Sequence, residues 1–148
     1  VTATITNARN ERAGDLEVVD AELRSRGYVV EHLRNPDHRE LSEAAGRSAR
    51  VYLNLIVNMH TFMGVTRLVE NAAMALWRGW WVDYPGRVMV TSFDSPYHLY
   101  EVPSLPNMLL CYADAPSAQR SAVRVWLGEL APQGRCPVRL PASTKETW

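Results

Sequence analysis

Val51-Tyr52-Leu53-Asn54-Leu55-Ile56-Val57 is an almost unbroken apolar run of strand length. A strand with one wet face alternates apolar and polar residues, whereas a run apolar at successive positions has both faces covered. That is the mark of a parallel strand lying between helical layers.

Upstream, Val1-Thr2-Ala3-Thr4-Ile5-Thr6 is β-branched and alternating, and the polar stretch Asn7–Gly14 breaks it. Leu16, Val19 and Leu23 then recur at helical spacing, with Asp15 placed to cap the start and Gly27 to end the helix. Tyr28–Leu33 is again strand-like. Asn35-Pro36 turns the chain, and Asp37 stands three residues before Glu40 as in a capping box, ahead of a helical face of Leu41, Ala44, Ala45 and Ala49.

Downstream, after a loop over Asn58–Gly64, the residues Val65, Leu68, Val69, Ala72 and Leu76 predict a helix ending near Trp80. Pro85-Gly86 makes a turn, Arg87–Phe93 reads as another buried strand, and Met108–Tyr112 follows as a strand after a Pro-rich connection. A last helix begins at Pro116, a residue suited to a first helical position, and buries Val123, Trp126, Leu127 and Leu130.

Strands alternating with helices predict a doubly wound α/β domain: a mainly parallel, five- to six-stranded sheet with helices on both faces, a flavodoxin-like three-layer sandwich. The 148 residues suit one domain, placed over 1–141, with 142–148 as a tail. The chain opens on Val1 with neither an initiator Met nor a basic-then-apolar leader, as expected of a processed or excised piece; cytoplasmic and secreted settings both stay open.

Charged residues make up 22% and cancel to a formal net charge of zero, which argues against a nucleic-acid partner. Apolar stretches such as Leu105–Leu110 are short and interrupted by Pro106 and Asn107, so no transmembrane helix is expected. Cys111 and Cys136 have neither disulfide-framework nor metal-ligand spacing and read as two buried thiols. His32, His38, His60 and His98 fall in separate segments, so no metal site is expected.

In an open parallel sheet, ligands bind beyond the carboxyl ends of the strands. The loops there are Asn7–Gly14, Asn58–Gly64, Asp94–Tyr100 and Ala113–Ser117. The first holds one glycine, Gly14, and neither a P-loop lysine nor a Gly-x-Gly-x-x-Gly run, so no nucleotide and no other cofactor is expected. A phosphoacceptor receiver wants aspartates where Asn7 and Asn58 stand. Ser95, His98 and Asp94 resemble a hydrolase triad in composition only, because Pro96 removes the N–H that would line an oxyanion hole. No catalytic residue is therefore assigned. The substrate-binding candidates are Asn10, His60, Asp94, Tyr97 and Asp114, against the simpler readings of a solvated loop for Asn10, a locally bonded ring for His60 and a helix cap for Asp114. Trp77, Trp80 and Trp81 cluster at one helix end and suit core or interface packing.

Three pieces of the final third belong together: Val90-Thr91-Ser92-Phe93-Asp94-Ser95-Pro96-Tyr97; Leu110-Cys111-Tyr112-Ala113-Asp114 with Ser117 and Gln119; and Leu127-Gly128-Glu129 with Gly134-Arg135-Cys136-Pro137-Val138-Arg139-Leu140-Pro141. From Arg87 to Pro141 the chain resembles the C-terminal domain of glycoside hydrolase family three, especially the bacterial β-N-acetylhexosaminidase branch. Cys136 stands where that family usually has leucine.

The resemblance implies an accessory domain of a β-glycosidase of β-N-acetylhexosaminidase or β-glucosidase type. Its partners would be an N-terminal barrel, as a domain or a separate chain, and a carbohydrate substrate. The family's nucleophile is an aspartate on that barrel, so a retaining mechanism is incomplete here. Ser95-Pro96-Tyr97 and Tyr112 then read as structural, a tyrosine after proline pinning a loop over the sheet end. The competing reading is a free-standing flavodoxin-like module that holds a small ligand in the sheet crevice.

Overall fold

The computed structural model describes residues 1–6, 16–57, 60–62, 65–68, 70–102, 104–105 and 107–138. The loop Asn7–Gly14 with Asn10, the expected cap Asp15 and the tail 142–148 lie outside the described residues.

The strands are β1 (Thr2–Thr6), β2 (His32–Arg34), β3 (Val51–Ile56), β4 (His60–Phe62), β5 (Val65–Arg67), β6 (Val88–Ser92) and β7 (Met108–Leu110). The helices are α1 (Glu17–Ser25), α2 (His38–Arg47), α3 (Glu70–Ala75), α4 (His98–Glu101) and α5 (Pro116–Trp126), with a 3-10 segment over Trp77–Asp83. Five strands form one sheet in the order β2-β1-β3-β6-β7, every neighbouring pair parallel. This is the expected α/β sandwich. The chain winds outward in both directions from the β1/β3 pair, which makes the carboxyl ends of those strands the topological switch point.

The run that decided the fold behaves as its composition demands. Every residue of β3 is buried, and alternate residues face opposite layers. Val51, Leu53, Leu55 and Val57 join Ala3, Ile5, Val88 and Val90 under α2, α3 and the 3-10 segment. Tyr52 and Ile56 join Phe93 under α1 and α5, with Val19, Leu23, Ala122 and Val123 as the helical side. Polar groups in that second layer have specific uses: Trp126 stacks on Tyr52 with ring centroids 4.4 Å apart, and its Nε1 donates to Thr91 Oγ1 at 3.0 Å. Gln119 Oε1 accepts from the Val19 N–H at 3.3 Å, joining α5 to α1, while its Nε2 donates to the Asp114 carbonyl at 2.7 Å.

At the foot of α1 a small polar cluster joins the helix to the sheet. Asp20 Oδ1 accepts from Thr2 Oγ1 at 2.6 Å, and Asp20 Oδ2 lies 3.0 Å from His32 Nδ1. One carboxylate thus joins α1, β1 and β2. Burial alone would lift the Asp20 carboxyl; the hydrogen bonds from His32 and Thr2, with the nearby His32 and Arg24, outweigh it and hold the carboxyl below its ordinary value.

The helix ends are chemically distinct. Asp37 forms the expected capping box: its carboxylate accepts from the N–H of Arg39 and Glu40, and Glu40 accepts from the N–H of Asp37. Gly27, at φ 85°, ends α1 in a Schellman motif, with Gly27 N–H on the Arg24 carbonyl and Tyr28 N–H on the Leu23 carbonyl. The start of α1 has no side-chain cap; buried Leu16 occupies it at φ 52°.

Several expectations need correction. The second strand is His32–Arg34 rather than Tyr28–Leu33, because only Thr2, Ala3 and Thr4 offer it a partner; Val29 is fully exposed. Ala49 is exposed beyond the end of α2. The helix expected from Val65 begins at Glu70: Val65–Arg67 pairs antiparallel with His60–Phe62, turning the expected loop into a hairpin. The last strand stops at Leu110. Leu127 and Leu130 are half-buried rather than buried, and so are Cys111 and Cys136. Trp80 and Trp81 pack edge to face in the core, while Trp77 is 52% exposed.

Candidate functional site

The loops after β3, β6 and β7 leave the sheet at its carboxyl edge and carry the described candidates. His60 opens β4 immediately beyond β3, its backbone paired with Arg67. Asp94 and Tyr97 follow β6, and Asp114 follows β7. Asn10 belongs to the loop after β1, outside the described residues. Thr6, at the end of β1, donates its N–H to Asn35 Oδ1 at 2.8 Å, with Asn35 held at φ 49°.

Burial pushes the Asp94 carboxyl above its ordinary value; the His98 ring opposes this, and the charge of Asp114 adds to it. Asp114 does not cap α5 with its side chain: the N-cap position is Ala115, without a side-chain hydrogen bond, and the Asp114 carbonyl is what Gln119 holds. Its carboxylate is thereby left at an exposed strand end.

Tyr97, which follows a proline and reads as pinning a loop, and Tyr112, which reads as structural, both stand at this edge. Tyr97 is 42% and Tyr112 43% exposed. Tyr112 is further distinguished by φ 58°, a left-handed conformation costing about 1 kcal/mol for a residue with a Cβ. Its phenol is pushed up to about 12 by burial of the hydroxyl end and by the Cys136 thiol beside it.

His98 is the hub that sequence reasoning missed. It lies at the start of α4, fully buried, where the sequence predicts the loop Asp94–Tyr100. Its Nε2 is 2.7 Å from the Val57 carbonyl and its Nδ1 is 2.9 Å from Ser92 Oγ. Ser92 Oγ in turn lies 2.8 Å from the Ser95 carbonyl. The ring therefore joins the end of β3 to the end of β6 and the turn that follows. It is not aimed at the Ser95 hydroxyl, which accepts from the Tyr97 N–H at 3.3 Å. Burial lowers the His98 ring below its ordinary value, while the Val57 carbonyl and Asp94 raise it. Nothing in local spacing marks this role, because Val57 is 41 residues away.

Two clefts lie away from the candidates. One, of about 300 Å³, opens at the amino end of the sheet between Thr2, Tyr28, Glu31 and Arg50; the other, of about 390 Å³, runs between β7 and α5 past Cys111, Ser117 and Ser121. Among the described residues no group of three or more His, Cys, Asp or Glu side chains is arranged to hold a metal, and no helix is long and apolar enough to cross a membrane.

The architecture has counterparts among solved structures. It is similar to part of a fungal multi-domain glycoside hydrolase family 3 β-N-acetylglucosaminidase with a GCN5-related glucosamine N-acetyltransferase region: 19% identity, TM-score 0.60, covering 97% of this chain and 16% of that one. It is also similar to part of a family 3 β-N-acetylglucosaminidase from Paenibacillus sp. str. FPU-7: 18% identity, TM-score 0.62, covering 94% of this chain and 27% of that one. At such identities the likeness is one of fold, and the chain spans a minor part of either counterpart. No family model and no curated protein matches the chain.

Proposed function

We propose that this chain is the accessory α/β domain of a β-glycosidase of β-N-acetylhexosaminidase or β-glucosidase type. It packs against a catalytic barrel, shapes the rim of the substrate site and is not catalytic alone. Residues 1–141 are the domain and 142–148 its tail. The observation that carries this reading is the coverage: nearly all of this chain is similar in fold to a minor part of two family 3 β-N-acetylglucosaminidases. The resemblance of Arg87–Pro141 to the family's C-terminal domain agrees with it.

In this reading the carboxyl edge faces the sugar. Asp94 and Asp114 offer acceptors to hydroxyl groups and Tyr97 offers an exposed ring for stacking, while the candidates Asn10 and His60 follow β1 and β3 in the sequence. The barrel supplies the nucleophile and the general acid, so both carboxylates of the mechanism lie outside this chain.

An assay on nitrophenyl β-N-acetylglucosaminide and β-glucoside tests the proposal, with the chain alone and then within its full reading frame. The isolated chain should give no turnover, and Tyr97→Ala or Asp94→Asn in the full protein should raise KM about tenfold, the effect of losing one good polar or stacking contact. Turnover by the chain alone, abolished by His60→Ala or Asp94→Asn, would refute it.

One observation favours the competing small-ligand module: the strand order places a switch-point crevice between β1 and β3. That reading predicts a flavin or nucleotide retained through purification, visible in the absorption spectrum of the native protein.

A further inference from the structure

We propose that His98 is a proton-linked latch on the turn after β6: it positions the segment carrying Asp94 and Tyr97, and the imidazolium, rather than the neutral ring, completes the hydrogen bonds that hold it. The argument is a count of protons. The Val57 carbonyl can only accept, so at 2.7 Å Nε2 must carry a hydrogen. The Ser95 carbonyl also can only accept, and Ser92 has a single hydroxyl proton for two close neighbours, that carbonyl at 2.8 Å and His98 Nδ1 at 2.9 Å.

With a neutral ring, Nδ1 is a lone pair and also needs the Ser92 proton. One of the two contacts then sets lone pair against lone pair and must lengthen. With a protonated ring, Nδ1–H donates to Ser92 Oγ, Ser92 donates to the Ser95 carbonyl, and Nε2–H donates to Val57. Every group is then satisfied, and the backbone N–H of His98, 3.4 Å from the same Ser95 carbonyl, closes the turn. Proton uptake and turn closure favour each other by linkage.

The charges facing the ring set where this happens. Among the described residues Asp94, on the turn itself, is the charged group that acts on His98, and Asp114 acts on Asp94. Among the described residues, the hydrogen-bond partners of the ring are the Val57 carbonyl after β3 and the Ser92 hydroxyl of β6. Burial opposes the charge, so the midpoint lies below the ordinary histidine value. The latch is a property of the turn and holds whether or not a sugar reaches the edge.

The test is ring-nitrogen NMR of the ¹⁵N-labelled chain from about pH 8 to about pH 4, the range spanning histidine titration. The ring state is read in the native chain, and the coupling of ring and amides also in Asp94→Asn, where the carboxyl's own titration cannot move the turn. The latch requires a neutral ring with its hydrogen on Nε2, a single ring midpoint shared by the amide shifts of Ser95, Tyr97 and His98, and stronger exchange protection of those amides on the acid side after correction for intrinsic rates. In Ser92→Ala the ring midpoint should fall by about one pH unit, the worth of one hydrogen bond to a charged group. A ring that stays neutral throughout, a neutral form protonated on Nδ1, a titration that leaves the amides unmoved or an unchanged midpoint in Ser92→Ala overturns the proposal. So does loss of protection at low pH, which would mean that the imidazolium leaves its pocket.

Discussion

Replacing Asp20 by asparagine keeps the shape of the side chain and removes the charge that joins α1 to β1 and β2. The carboxylate accepts from Thr2 at 2.6 Å and lies 3.0 Å from His32 Nδ1, with the side chain 10% exposed. An amide keeps one acceptor oxygen but turns its NH2 toward a neighbour that was donating. Losing one hydrogen bond to a charged, poorly solvated acceptor costs about 2 kcal/mol, which for a domain of this size lowers Tm by about 6 °C. The pH dependence distinguishes charge from shape. The folded carboxyl sits below its ordinary value of 3.8, so its contribution is fully present above that value and is lost as pH falls through the folded value. Urea unfolding of the native chain and Asp20→Asn, followed by circular dichroism at falling pH, should therefore show a gap that narrows once the carboxyl protonates. A gap under about 0.5 kcal/mol at neutral pH, within the scatter of surface substitutions, or one that stays constant as the acid form populates, would refute the reasoning.

Asp37→Ala removes the capping box of α2 and should cost about 1 kcal/mol in the same urea assay. Leu55→Ala empties a fully buried position in the central strand and should cost about 3 kcal/mol, with the slope of the urea transition unchanged. Asp94→Asn should raise Tm at neutral pH: its folded carboxyl lies above the ordinary value, so the native chain loses stability as pH rises through the interval between the two values. The advantage of the variant should vanish below that interval, as thermal melts at neutral and acid pH would show.

The parts of the fold legible in the sequence were those whose signal is local. Val51–Val57 is apolar at nearly every position because helices cover both faces, and Asp37 with Glu40 marks a helix start through bonds within four residues. Val65–Leu76 misled because a valine at the start of a 3.6-residue period also suits a strand. Pairing of Val65 with Phe62 decided the matter, while Leu68, Ala72 and Leu76 still line the core as their spacing requires. Tyr28–Val30 has strand composition but pairs with no strand among the described residues. The carboxyl edge was placed by the general rule for parallel sheets, and Asp94, Tyr97 and Asp114 do follow strands there. His98 was not legible as a hub, because its partner Val57 belongs to another crossover.

The contact between α1 and α5 dictates an order of events during synthesis. The layer on that side of the sheet needs Val19 and Leu23 from one end of the chain and Ala122 and Val123 from the other, and the Val19–Gln119 bond spans 100 residues. A ribosome that has released β1, α1 and β3 has exposed half a sandwich whose greasy side stays bare until residue 126 has left the exit tunnel. This part of the nascent chain should therefore resist protease only once α5 has emerged, and chains stalled before α5 should be the ones that chaperones hold.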